Sequence, residues 1–192
     1  MSNCIKNVTA NITYDCNTPA LRAIAGLETK AVILNRSDID RTSLTRSGST
    51  VTNLNLVSGA TGYEITWVKQ LANTNSEFSV NDGLDTFTHA FECSVFGQTA
   101  ADAERIKELS VSELVMVVET KFKGVNNADS YKIFGLEQGM RMSEGKFTSL
   151  ENDGGFKFKL SSVENFGESY PWLVYLETNY TTTKTKVDNL FA

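Results

Sequence analysis

The stretch Leu84–Lys121 reads LDTFTHAFECSVFG, QTAADAERIKELS and VSELVMVVETK, and its three pieces decide the fold. In the first piece Phe87, His89, Phe91, Cys93 and Val95 fall on one face, and Thr86, Thr88, Ala90, Glu92 and Ser94 on the other. A period of two is the mark of a half-buried strand. About 13 residues at roughly 3.4 Å each span about 45 Å, well beyond an ordinary strand. The middle piece is a helix that Thr99 caps, with Asp102 three residues on as a variant of the capping box. Ala100, Ala103, Ile106 and Leu109 give it a narrow apolar stripe. The last piece, Leu114–Val118, is apolar without alternation, so it predicts a strand covered on both faces.

Outward from this unit the chain reads as more sheet. Residues 1–28 form an N-terminal arm in which Ile12 and Tyr14 begin a strand that Pro19 breaks. Ala20–Leu27 reads as a helical turn or a loop, and KAVILN (Lys30–Asn35) as a strand. The polar stretches 36–50 and 70–83 read as long loops. Val51–Val57 and Tyr63–Val68 predict a hairpin across Ser58–Gly62. Asn81-Asp82-Gly83 is a turn signal leading into the long strand, and Gly124–Ser130 is a polar turn. Tyr131–Phe134 predicts a short strand onto which residues 140–150 pair back, with Gly135 and Gly139 as punctuation. Asn152-Asp153-Gly154-Gly155 is the strongest turn signal. Phe156–Ser161 alternates Phe156, Phe158 and Leu160 against Lys157 and Lys159, a pattern that suits a solvated or edge strand. Pro171 opens a final strand, Trp172–Glu177, and residues 178–192 read as a fraying Thr/Lys-rich tail with an apolar tip suited to docking on a neighbour. The expected fold is mainly β, over a single domain spanning 1–192: a β-sandwich or barrel with one flanking α-helix and long extended loops.

Composition narrows the function classes. The 192 residues are 41% hydrophobic and carry a net charge of −5, enough for a sizeable core and the wrong sign for a phosphate-gripping nucleic-acid binder. No segment approaches the roughly 20 apolar residues of a membrane span, and the N-terminal residues lack a signal-peptide core. The expectation is therefore cytoplasmic synthesis and no membrane partner. Cys4, Cys16 and Cys93 are too few for a disulfide framework, although Cys4 and Cys16 pair if their segments meet. Sequons begin at Asn7, Asn11, Asn35 and Asn179, and read as accidents of a Thr/Asn-rich chain.

Residues with chemical potential do not combine. His89, the one histidine, lies on the apolar face of a strand and reads as a satisfied core group. A lone histidine argues against multi-histidine metal sites and a Ser-His-Asp arrangement. GMRMSEGKF (Gly139–Phe147) spaces its glycines one residue too far apart for a phosphate loop and has Phe147 where a hydroxyl is needed. Asp38, Asp40 and the 152–154 turn supply too few oxygens for calcium. Glu108, Glu113 and Glu119 read as solvated charges rather than paired acid and base. No catalytic, cofactor-binding or metal residues are assigned, and no enzyme is expected. Polar arms on a β core gain buried surface only by packing on other copies, which favours a self-assembling structural protein.

The order of elements carries a resemblance. ALRAIAGLETKAVILNRSDID is followed by the long strand, TAADAERIKELS, ELVMVVETK, YKIFGLEQGMRM, FKFKLSS and Glu168-Ser169-Tyr170-Pro171. With FGLEQGM (Phe134–Met140) as its most telling part, this pattern resembles the major tail tube proteins of tailed bacteriophages, especially those of Bacteroidetes and related hosts. Residues after Thr178 and the stretches 36–50 and 70–83 fall outside it. The resemblance implies hexameric rings stacked into a hollow tube, with inner strands joined into one lumen sheet and loops bridging rings. It places the protein in the virion tail, with copies of itself and other tail or neck proteins as partners. Phage DNA would pass through without specific binding, eased by a mildly acidic lumen. Two other readings stand beside it. One is a tail terminator, neck or capsid decoration protein. The other is a carbohydrate-binding β-sandwich stacking sugars on Trp67, Trp172 and Tyr175, although apolar strands make core roles the simpler account of these rings.

Overall fold

The computed structural model describes residues 8–15, 17–68, 71–80, 85–150 and 154–191. It is mainly β, a large mixed sheet with two helices, consistent with a β-sandwich flanked by helix. In chain order the strands are β1 (Leu27–Asn35), β2 (Thr45–Ser47), β3 (Thr50–Asn53), β4 (Tyr63–Thr66), β5 (Ala72–Ser79) and β6 (Thr86–Val95). After helix α1 (Ala100–Val111) come β7 (Leu114–Thr120), β8 (Tyr131–Phe134), β9 (Met140–Phe147), β10 (Phe156–Ser162) and β11 (Leu173–Tyr175), then helix α2 (Tyr180–Asn189).

Hydrogen bonding links the strands in the order β2-β3-β11-β8-β7-β9-β10-β6-β5, and β1 joins β7 to β4 off that path. All pairs are antiparallel except β11 with β3. The single register pair Leu114–Met140 connects β7 to β9. About this junction the sheet divides into two packed layers, because side chains from both halves share one core. Ile33, Met116 and Val118 of β1 and β7 pack with Phe91, Phe158 and Leu160 of β6 and β10. On the other face of the same two strands, Val32, Leu34, Val115 and Val117 pack with Ile39, Leu54, Val187 and Leu190. The first layer is thus covered on one side by β9-β10-β6-β5 and on the other by α2 and the loops near Ile39 and Leu54. Every residue from Leu114 to Val118 is buried, as its unbroken apolar run predicts.

Local chemistry explains most element boundaries. Thr99 accepts from the Asp102 N–H while Asp102 accepts from the Thr99 N–H, so the predicted capping box forms. Gly135 and Gly139 take φ of +75° and +84° around the turn between β8 and β9, where a side chain is strained.

Several expectations are corrected. Residues 8–15 form no strand; they are exposed, and Pro19–Leu21 is a 3-10 turn. The loop 36–50 carries β2, and the polar stretch 70–83 carries β5, an eight-residue strand paired along its length with β6. No hairpin joins 51–57 to 63–68: β3 pairs with β2 and β11, and β4 pairs with β1. β9 pairs with β10 rather than with β8, which leaves β10 between two strands instead of at an edge. The solvated half of that expectation holds: the lysines line a solvated face, where Lys157 and Lys159 lie near Glu92. Residues 180–189 are a second helix, not a fraying tail. Asn179 caps it, and Thr183, Val187 and Leu190 bury themselves on the chain's own core. Cys4, Cys16 and the turn signals at 81–83 and 152–153 lie outside the described residues.

Candidate functional site

Residues singled out from sequence do not converge. His89 is 1% exposed and fully satisfied. Its Nδ1 accepts the Gly135 N–H at 3.0 Å, and its Nε2 lies 2.9 Å from the Tyr170 carbonyl, so that nitrogen carries the proton. Burial pulls this imidazole below its ordinary pKa. Burial pushes the Cys93 thiol up to about 12, which leaves it an inert core group. Asp38 accepts from the Asn35 amide, and Asp40 caps the Thr42–Ser43 turn. Asn35 and Asn179 of the sequons serve this turn and the α2 cap. Among the described residues no group of three or more His, Cys, Asp or Glu side chains is placed to hold a metal ion. No described helix is long and apolar enough to cross a membrane.

The three glutamates separate. Glu108 sits on the exposed face of α1, and Glu113 pairs with Arg36 and Arg141. Glu119 is not the solvated charge expected from sequence. Its side chain is 13% exposed and accepts from Lys123, Tyr131 and Tyr180, tying the start of α2 to β7 and β8. The three aromatics separate too. Trp67 and Tyr175 are core residues, and only Trp172 is exposed, with the Lys132 ammonium 5.9 Å from its ring centroid.

Two features went unread in the sequence. The first is a buried polar knot behind β6. Glu168, 1% exposed, accepts the backbone N–H groups of Glu137 and Gln138 at 2.8 and 2.9 Å. Glu137 in turn accepts the Ser169 N–H and hydroxyl and pairs with Arg46. Burial raises the Glu168 carboxyl above its ordinary value, against the pull of the two N–H groups. Glu137 is also desolvated, yet the bonds from Arg46 and Ser169 hold it net below. FGLEQGM and Glu168–Pro171 are therefore spatial partners, which their separation in sequence conceals. A carboxylate inside a run of glycines and aromatics was the available signal.

The second feature is the outer edge of β5. Ala72–Ser79 pairs with Thr86–Cys93 without a register shift, and no described strand pairs with its other side. Sheet edges are ordinarily blunted by lysine, proline or a bulge. This one, ANTNSEFS, has neither residue, and Glu77 is its one charge. Its core-facing row ends in Phe78, 58% exposed and edge-on to Phe87, and Leu71 and Val80, which flank the two ends of the strand, are exposed.

A cavity of about 470 Å³ lies between α1 and the sheet, lined by Ile33, Ile65, Val95, Ile106, Leu109 and Leu114. α1 buries none of its residues, so it roofs this space without filling it. Comparison of the chain with family models, with curated proteins and with solved structures yields no match.

Proposed function

We propose that the protein is a self-assembling structural subunit of a virion, building the stacked rings of a phage tail tube. The observation that carries this reading is the β5 edge. Eight residues of regular, unblunted strand with exposed Leu71, Phe78 and Val80 are a template for a strand from another molecule. Strand addition there would extend the β9-β10-β6-β5 layer from one subunit into the next, as a continuous wall requires. The net charge of −5 suits a conduit along which DNA slides. The reading assigns no catalytic step, and its partners are other copies, other tail or neck proteins and passing DNA.

Negative-stain electron microscopy of the purified protein, concentrated and then diluted, tests it. Hollow tubes or stacked rings are expected. Single closed rings that never stack would instead indicate a terminator, neck or decoration protein. A dispersed monomer at every concentration would overturn assembly as the chain's own property.

A further inference from the structure

Residues 8–15, VTANITYD, alternate without a fault: Val8, Ala10, Ile12 and Tyr14 against Thr9, Asn11, Thr13 and Asp15. That is the pattern of a strand with one apolar face. Yet the whole segment is exposed and no described strand pairs with it, with Val8 at 83% and Ile12 at 95% exposure. The described chain offers this strand no sheet. It also offers the β5 edge no strand.

We propose that residues 8–15 of one copy add as a strand to the outer edge of β5 in a neighbouring copy. The inference rests on the self-assembly reading and names the segment that joins the subunits. Lengths match: eight residues of arm face eight of β5. Faces match as well. Ala72, Thr74, Ser76 and Phe78 lie on the core-facing side, paired with Cys93, Phe91, His89 and Phe87. An apolar row laid beside them would continue that side and cover Phe78. Charges do not oppose, since Glu77 and Asp15 are the single charges of the two segments and need not face one another.

The arm cannot serve its own β5 in the conformation observed. Its root contacts the 125–127 turn through Pro19–Leu21, and Tyr14 is bonded back to Ala23.

The test compares full-length wild type with a Val8→Lys/Ile12→Lys double variant and with Phe78→Lys, by sedimentation and amide hydrogen exchange. Both arm positions are exposed, so the double variant should keep its unfolding midpoint. On assembly of the wild type, amides of 8–15 and alternate amides of 72–79 should slow at least about tenfold. Either variant should abolish both the slowing and the assembly. A double variant that assembles as wild type does, or an arm that exchanges freely in the assembly, overturns this inference and leaves the tube reading standing. Protection of the arm already present in dilute monomer overturns it as well, because the strand would then be added within one chain. A wild type that never assembles overturns both. A closed strand-exchanged dimer, lost in the variants, upholds the inference and removes the tube reading.

Discussion

Glu137 and Glu168 cap each other's loops. The Glu168 carboxylate takes the N–H of Glu137, and the Glu137 carboxylate takes the N–H of Ser169, the residue after Glu168. Two acids stay close because each is supplied with donors and Arg46 pairs with one of them. Removing an acceptor from a buried place leaves its donors unpaired, at about 1–3 kcal/mol per group. Glu168→Gln keeps one good acceptor and should cost about 1–3 kcal/mol. Glu168→Ala strands both N–H groups and should cost about 2–5 kcal/mol. Urea unfolding at constant slope measures both.

His89 gives the fold an acid-sensitive element with a single origin. Its pKa in the folded state lies below the ordinary 6.5, because burial disfavours the charged ring, with Glu137 opposing that shift. The unfolded chain therefore takes up a proton first as pH falls below about 6.5. Stability present above that pH is lost as pH drops toward the folded value. Protonation also removes the acceptor for the Gly135 N–H. His89→Gln should lose stability at neutral pH but show a flatter midpoint between pH 7.5 and 5.5, on the order of the one-proton slope. Subtracting the two urea-midpoint profiles isolates this group, since the chain has one histidine.

Helix α1 should be the least stable secondary element of the core region. It buries no residue and stands over a cavity, so the capping box at Thr99 and Asp102 carries much of its hold. Thr99→Ala should cost about 1 kcal/mol of helix stability. The loss should be local: amides of 103–111 exchange faster while those of Val115–Val118 keep their protection. A uniform acceleration across both elements would contradict this.

The docking of α2 should behave oppositely. Leu190 is 8% exposed in the core, and its carbonyl accepts the Gly62 N–H. Leu190→Ala should cost about 2–4 kcal/mol, read as a drop in the global unfolding midpoint. Gly62→Ala should also destabilise. Its Cβ would lie 2.5 Å from Leu34 Cδ2 and 2.9 Å from the Leu190 carbonyl oxygen. That space belongs to the helix's attachment.

Legibility followed the range of the interaction. β6, β7 and the α1 cap are readable because the residues that fix them are neighbours in sequence, although β6 runs for ten residues, Thr86–Val95, and not for about 13. β5 is not, since an edge strand with only Ala72 buried shows no hydrophobic period, and its register comes from β6. α2 is hidden in the sequence because one of its core contacts is Thr183, whose hydroxyl donates to the Asn179 carbonyl and accepts the Glu177 N–H. Tyr180, Thr183, Val187 and Leu190 do recur at helical spacing once Thr183 is admitted as a core residue. The polar knot was invisible for the opposite reason. Its two halves, FGLEQGM and Glu168–Pro171, both stand out in the sequence, but nothing local says that they touch.

The pairing of β3 with β11 sets an order of events during synthesis. Leu54 and Val32, made early, share a core with Leu173, Tyr175, Val187 and Leu190, which are made more than a hundred residues later. Until then one face of the central strands lies bare, and a chaperone has a defined surface to hold. The β5–β6 hairpin, whose partners are close in sequence, can form much sooner. A nascent chain would thus display its sticky edge before its body is closed, and translation speed through residues 96–190 would govern how long that exposure lasts.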